Sequence, residues 1–262
     1  MPRRGTNSCA WRTLSRADVT AASHLSPLAG RTAVVTGASR GIGAAIARRL
    51  AESGVRVALV ARGAAALDVL AATIAGSPLT LPLDLQRPDA GDRVVAALAA
   101  EGIASPDIVV NNAGAFFVAP AHETDVAAFR ATLDLNLTAP FLFARAFLPA
   151  MRTRGTGHLL SIGSIADRSA FPGNAAYAAS KYGLRALHEV LRAESRGTGV
   201  RTTLVSPGPV DTELWDAVDP VHRVGHTPRS SMLAPDAVAD AVLYALSAPP
   251  EVNVDELRLS HS

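Results

Sequence analysis

Two of the chain's three tyrosines fall in one alanine-rich run, NAAYAASKYGL, from Asn174 to Leu184. Tyr177 and Lys181 stand four apart, so on a helix their side chains leave the same face. A free phenol has a pKa of about 10 and is a poor proton donor and acceptor at neutral pH. A neighbouring ammonium favours the phenolate, and bringing that pKa to about 7 takes roughly 4 kcal/mol of differential stabilisation. The pair therefore suits a proton donor and its tuner, although an isolated Tyr-x-x-x-Lys is also a common surface pair. Ser164 lies thirteen residues before Tyr177 and offers a second hydroxyl to an oxygen that develops charge. Tyr182 is about 100° round the helix from Lys181 and is expected to pack. Ser161 and Ser180 are hydroxyls nearby without a matching spacing. His158 and His188 have no partners at metal-ligand spacing, so no metal is expected.

The second chemistry-bearing stretch is TGASRGIG, residues 36–43, where a β-branched run enters a helix pattern. Gly37 permits a tight turn, Gly41 lets the backbone approach a pyrophosphate, and Gly43 lets helix and strand pack closely. The helix N-terminus supplies free N–H groups and partial positive charge, with Ser39 and Ile42 in the same reach. A structural turn is the plain alternative, but the strand–loop–helix context favours a dinucleotide. An enzyme that prefers NAD places a carboxylate about 20 residues past the glycines to bind the ribose hydroxyl. Here that point carries Ala61 and Arg62, and Arg40 is a second cation in the loop. Two guanidiniums suit a 2′-phosphate, so NADP(H) is expected over NAD(H) unless both are simply solvated.

These residues need a scaffold that brings strand ends together. Strand-like runs at 31–37, 55–61, 79–85, 106–114, 157–164, 200–208 and 255–261 alternate with helix patterns. The helices are expected at 41–54, 64–76, 89–101, 125–150, 175–196 and 235–247. This alternation predicts one α/β domain: a doubly wound, Rossmann-type parallel sheet of about seven strands with helices on both faces. With 262 residues, 48% of them apolar, the chain can bury one substantial core. The 25 basic and 23 acidic residues nearly cancel and form no like-charge run, which argues against a nucleic-acid face. The single cysteine, Cys9, allows no intrachain disulfide and suits a reducing, cytoplasmic setting. No apolar run approaches the ~18 residues of a membrane span. Residues 1–28, with Arg3, Arg4, Arg12 and Arg16, read as an extension outside the 29–262 domain, or alternatively as a transit peptide.

The TGxxxGxG loop, NNAG at 111–114, Asn136, Ser164, YAASK at 177–181 and SPGPVDT at 206–212 fall in one order. Together they resemble the short-chain dehydrogenase/reductase superfamily over about residues 28–262. The resemblance implies that Tyr177 is the general acid of carbonyl reduction, and that Lys181 tunes it and binds the nicotinamide ribose. Ser164 then polarises the substrate carbonyl, and Asn136 holds a water in a proton relay with Lys181. It places Asp84 beside the adenine, where a plain strand-end aspartate is the alternative, and puts Asn111, Ala113 and Gly114 along the cofactor. It also places Pro207, Gly208, the backbone near Val210 and the Thr212 hydroxyl at the nicotinamide amide.

The implied activity is NADPH-dependent interconversion of a ketone or aldehyde with an alcohol. Phe116, Phe117, Phe171 and Trp215 are expected to wall an apolar substrate site, with 213–232 as a mobile lid. Pairing of the two long helices implies a homodimer or homotetramer. One alternative is a 3-oxoacyl-[acyl-carrier-protein] reductase, whose usual glycine-rich ending is missing from PPEVNVDELRLSHS. The other is a non-catalytic NADP(H)-binding regulator, which the intact Asn136, Ser164, Tyr177 and Lys181 oppose.

Overall fold

The computed structural model describes residues 26–216 and 227–262. The expected extension over 1–25, including Cys9, and the centre of the expected lid, 217–226, lie outside the described residues. The strands are β1 (Thr32–Thr36), β2 (Arg56–Ala61), β3 (Leu79–Pro82), β4 (Ile108–Asn111), β5 (Gly157–Ile162), β6 (Val200–Pro207) and β7 (Glu256–Leu259). They form one seven-stranded sheet in the order β3-β2-β1-β4-β5-β6-β7, every neighbouring pair parallel. The central strands β4, β5 and β6 are buried along their whole length, as continuous apolar runs are when helices cover both faces.

The helices are α1 (Gly41–Glu52), α2 (Ala64–Ala71), α3 (Ala90–Ala100), α4 (Val126–Leu133), α5 (Ala139–Arg154), α6 (Ala175–Ser195) and α7 (Pro235–Ser247). One core lies against α1 and α7 and contains Ile46, Leu50, Leu59, Val238 and Val242. The other lies beneath α3 and α5, with Val94, Leu98, Phe143, Phe147 and Met151. Leu28 belongs to the first core and is fully buried, so the packed body begins one residue before the expected boundary. The strand order reverses between β1 and β4, which opens a crevice at the carboxyl ends of the strands.

Two helices depart from expectation. The helix expected over 64–76 stops at Ala71, because the Thr73 hydroxyl takes the Leu70 carbonyl at 2.7 Å. Gly76 and Ser77 then turn the chain through positive φ. The long helix expected over 125–150 is split by a wide π turn, Asp134–Thr138, before continuing to Arg154. Pro140 has no N–H to give the Asn136 carbonyl, so a regular helical bond is impossible at that point.

At the far end of the sheet, the buried Arg201 guanidinium collects the carbonyls that close α7. It donates to Ala248 O at 2.8 Å and Leu246 O at 3.3 Å, and reaches Pro249 O and Val252 O at 3.4 Å. Leu246 O is one of the orphan acceptors every helix end leaves, and the others belong to the cap and to the chain that leaves α7.

Candidate active site

The glycine loop leaves β1 and opens α1 as expected, but each glycine has a specific neighbour. Gly37 has φ +65°, and a Cβ there would lie 2.8 Å from Ala113 Cα. A Cβ at Gly43 would collide with the Gly37 carbonyl oxygen and lie 2.5 Å from Asn112 Nδ2. At Gly41, φ is +54° and a Cβ would meet the Thr212 methyl at 3.1 Å, so this position faces the segment after β6. Thr36 bolts the turn to the NNAG segment: its hydroxyl donates to Val110 O and accepts the N–H groups of Asn112 at 3.0 Å and Ala113 at 3.1 Å. Asn112 Nδ2 adds bonds to Thr36 O at 2.9 Å and Gly37 O at 3.2 Å.

Several features fit a dinucleotide here. The α1 N-terminus has no side-chain cap, which leaves its first N–H groups for an anion. Ser39 and Ile42 line the same turn, half-buried. Arg40 and Arg62 are exposed at the carboxyl ends of β1 and β2, and neither has an ion-pair partner among the described residues. Asn111 is buried, and its Nδ2 has no hydrogen-bond partner among the described residues. Asp84 is exposed just after β3 and spends one oxygen on its own turn, accepting Gln86 N at 3.1 Å. Gly114 is exposed, its open side 3.3 Å from Asn136 Oδ1.

The other end of the crevice gathers Ser164, Tyr177 and Lys181. Ser164 ends the β5 segment and caps a short turn, Ile165–Asp167, accepting Ala166 N at 3.1 Å. Its hydroxyl holds the Tyr177 phenol down against the effect of burial. Lys181 is buried; its Nζ donates to Ile162 O at 2.9 Å and lies 5.6 Å from the Tyr177 ring centroid. Phe116 stands edge-on to Tyr177 at 4.8 Å and to Trp215 at 5.1 Å. The Phe116 loop is tied to the start of α6 by Ala119 N donating to Gly173 O at 2.9 Å. Phe117 is half-buried nearby in sequence, whereas Phe171 is 45% exposed and contributes no ring contact.

In the protein alone, burial acts against the phenolate expected of the pair. Burial pushes the Tyr177 phenol up; the Ser164 hydroxyl works against this, and the Asp167 carboxylate adds to it. Burial also pushes Lys181 down to about 8, with Asp167 opposing. Desolvation penalises both charged forms, and sequence spacing carries no information about it.

Three further expected positions have these surroundings. Asn136 is buried with its side chain fully committed: Oδ1 accepts Ala115 N at 2.8 Å, and Nδ2 donates to Ala115 O at 3.0 Å and Ser180 Oγ at 2.9 Å. That side chain braces a loop and α6. Tyr182 is 44% exposed on α6 rather than packed. In the SPGPVDT segment, Pro207 ends β6, the Gly208 N–H is spent on Leu259 O at 2.8 Å, and the Val210 carbonyl accepts Trp215 Nε1 at 3.0 Å. Thr212 follows, half-buried against Gly41.

Sequence reasoning missed Ser180, whose buried hydroxyl donates to Tyr177 O at 2.7 Å and fixes the turn of helix carrying the phenol. It also missed Asp167 and Ser206. Only the burial of Asp167 marks it, and no spacing signal would have done so. Among the described residues, no helix is long and apolar enough to cross a membrane, and no three His, Cys, Asp or Glu side chains cluster for a metal.

The family model for short chain dehydrogenases matches residues 31–222. The chain belongs to the short-chain dehydrogenase family. Among relatives of this oxidoreductase, glycine betaine reductase ATRR of Emericella nidulans is 35% identical over 237 residues. That alignment covers 88% of this chain but only 19% of the relative, so this short-chain dehydrogenase corresponds to about a fifth of that protein. An alcohol dehydrogenase from the archaeon Thermococcus sibiricus, complexed with 5-hydroxy-NADP, superposes with a TM-score of 0.79 at 30% identity. It covers 88% of this chain and 96% of its own. A metagenomic short-chain oxidoreductase in complex with NADP gives a TM-score of 0.75 at 36% identity, covering 90% and 99%.

Proposed function

We propose that this short-chain dehydrogenase is an NADPH-dependent reductase of ketones or aldehydes, working in reverse as an alcohol dehydrogenase. The observation that carries the proposal is the gathering of Ser164, Tyr177 and Lys181 at the carboxyl edge of the sheet, with Lys181 Nζ buried 5.6 Å from the Tyr177 ring centroid. A bound nicotinamide supplies hydride chemistry, and the uncapped α1 N-terminus, Arg40, Arg62 and the unpartnered Asn111 amide are the groups that would hold the dinucleotide. Two neighbours of the same family with NADP ligands support the phosphorylated cofactor.

In this reading the Ser164 hydroxyl and the Tyr177 phenol both donate to the carbonyl oxygen, and Tyr177 passes its proton to that oxygen as it becomes an alcohol. Lys181 steadies the phenolate left behind, with its ammonium 5.6 Å from the ring centroid. The Asn136 side chain, being saturated, leaves only its backbone carbonyl, which the π turn releases, to hold a relay water. Phe116 and Trp215 make the wall beside Tyr177 apolar, which favours hydrophobic carbonyl substrates.

Exposed Val126, Phe141, Tyr182 and Val190 on α4, α5 and α6 support a homodimer or homotetramer built on those helices. The test is oxidation of NADPH against a panel of ketones and aldehydes, run beside NADH. Tyr177→Phe is expected to remove turnover while NADPH binding persists; surviving activity sinks the assignment.

A further inference from the structure

Asp167 is a carboxylate that neither the hydride chemistry nor the dinucleotide calls for, yet it is fully shielded from solvent. A buried carboxylate is costly unless its oxygens are held. Here Oδ1 receives Arg168 Nε at 2.7 Å and Oδ2 receives the Ser206 hydroxyl. Arg168 in turn pairs with Glu256 of β7.

The placement of this bridge is specific. Asp167 ends the turn that Ser164 begins, and Ser206 sits at the end of β6 where the SPGPVDT segment starts. Gly163 lies between them: a Cβ there would be 2.6 Å from Ser206 Oγ and 2.8 Å from Asp167 Oδ2, so only glycine lets the bridge close. The groups bonded to the Asp167 carboxylate among the described residues are Arg168 beside it, with Glu256 behind that arginine, and Ser206 from β6. From α6, Lys181 Nζ reaches the Ile162 carbonyl at 2.9 Å, one residue before the Gly163 that Asp167 Oδ2 crowds, and Tyr177 lies one helix turn before Lys181. Lys181 Nζ itself touches only a backbone carbonyl among its hydrogen-bond partners in the described residues.

We infer that Asp167 is a positioning residue of the proton-transfer step: its carboxylate, locked between Ser206 and Arg168, is the fixed negative charge that keeps protons on the Tyr177–Lys181 pair. The inference rests on the proton-donor reading of that pair. Its sign is the same on both members, since an anion opposes phenolate formation at Tyr177 and favours the ammonium at Lys181. Removing the anion from beside both groups lets each lose its proton at lower pH.

Asp167→Asn keeps the volume and one acceptor for Ser206 but carries no charge. Phenolate absorbance is followed against pH on the full chain with saturating NADP+, in the wild type, in Asp167→Asn and in Tyr177→Phe. The last variant removes the Tyr177 contribution from the signals of Tyr182 and Tyr244. The Tyr177 transition is expected at lower pH in Asp167→Asn than in the wild type. A coincident or higher midpoint, in a variant that still binds NADP+, overturns the inference. Should Asp167→Asn fail to fold, Glu256→Gln decides, because it leaves Arg168 with one fewer compensating charge. Its transition is expected to move the same way by less, and no movement overturns the inference. The carbonyl panel on Tyr177→Phe separates the failures: activity surviving there sinks the proton-donor reading. A dead Tyr177→Phe with an unmoved Asp167→Asn transition sinks only the role of Asp167.

Discussion

A single methyl group at position 43 probes the nucleotide turn more sharply than removal of any charge around it. In Gly43→Ala the new Cβ collides with the Gly37 carbonyl oxygen and lies 2.8 Å from its carbon and 2.5 Å from Asn112 Nδ2. Relaxed carbon pairs sit about 3.5 Å apart, so the turn has to retreat by roughly 0.7 Å or more. That retreat breaks the two Asn112 bonds to Thr36 O and Gly37 O, each contributing about 1 kcal/mol net, and adds about 1–3 kcal/mol of overpacking. Alanine returns about 1 kcal/mol of helix propensity. The expected net loss is about 2–4 kcal/mol, or a Tm lower by roughly 4–16 °C for a domain of this size. NADPH affinity, read by nucleotide fluorescence, is expected to fall more than about tenfold because the anion-binding N–H groups move with the turn. Gly54→Ala is the control: φ there is positive, at +78°, unlike at Gly43, but its Cβ meets only Ala29 at 3.3 Å. It is expected to cost about 1–2 kcal/mol and to leave NADPH binding intact. A Gly43→Ala protein with wild-type Tm and wild-type affinity refutes the packing argument.

Other perturbations have equally definite outcomes. Arg62→Ala or Arg40→Ala is expected to raise KM for NADPH about tenfold or more while KM for NADH stays within about twofold; equal effects on both would remove these arginines from the 2′-phosphate. Buried His158, bonded to Thr203, has its pKa pushed down to about 3, first by burial and then by Arg201, Arg31 and His188. Its unfolded form takes a proton below about 6.5, so stability is complete above that pH and is lost as pH falls toward the folded value, by up to about 1.4 kcal/mol per unit. Urea unfolding at about pH 7 and about pH 5 measures this, and His158→Gln should flatten the slope to the part left by His188. Phe141→Asp, on the exposed face of α5, is expected to shift the particle to a smaller mass in light scattering while retaining the fold; an unchanged mass removes that face from the assembly.

What could be read without coordinates was what is local or periodic. The strands announced themselves as short β-branched runs, and Tyr177 and Lys181 share a face because one helix turn fixes their relation. Ser164 was found through its distance from Tyr177. Residues joined through space escaped: Asp167 and Ser206 meet across 39 positions of sequence, and no period or motif links them. The π turn was written in Pro140, but a hydrophobic period averages over such a fault and runs straight through it. Burial was the other blind spot. It leaves Tyr182 exposed against the expected packing, and it pushes the Tyr177 phenol up, because desolvation depends on what surrounds a group rather than on what precedes it.

Arg201 has a consequence for how the chain's last segment can change over time. Among the described residues, its guanidinium bonds main-chain oxygens from Leu246 to Val252 and not one side chain. Between Ala248 and Val252, selection therefore acts on the path of the backbone more than on the identity of its residues. PPEV is free to drift in composition, provided its length is kept, while Asn253 is held by its bonds to Thr202 N and Thr202 O and position 201 is bound to a residue that can serve several carbonyls at once. A homologue that replaced Arg201 would need a different way of ending α7, and its route into β7 should be rebuilt with it.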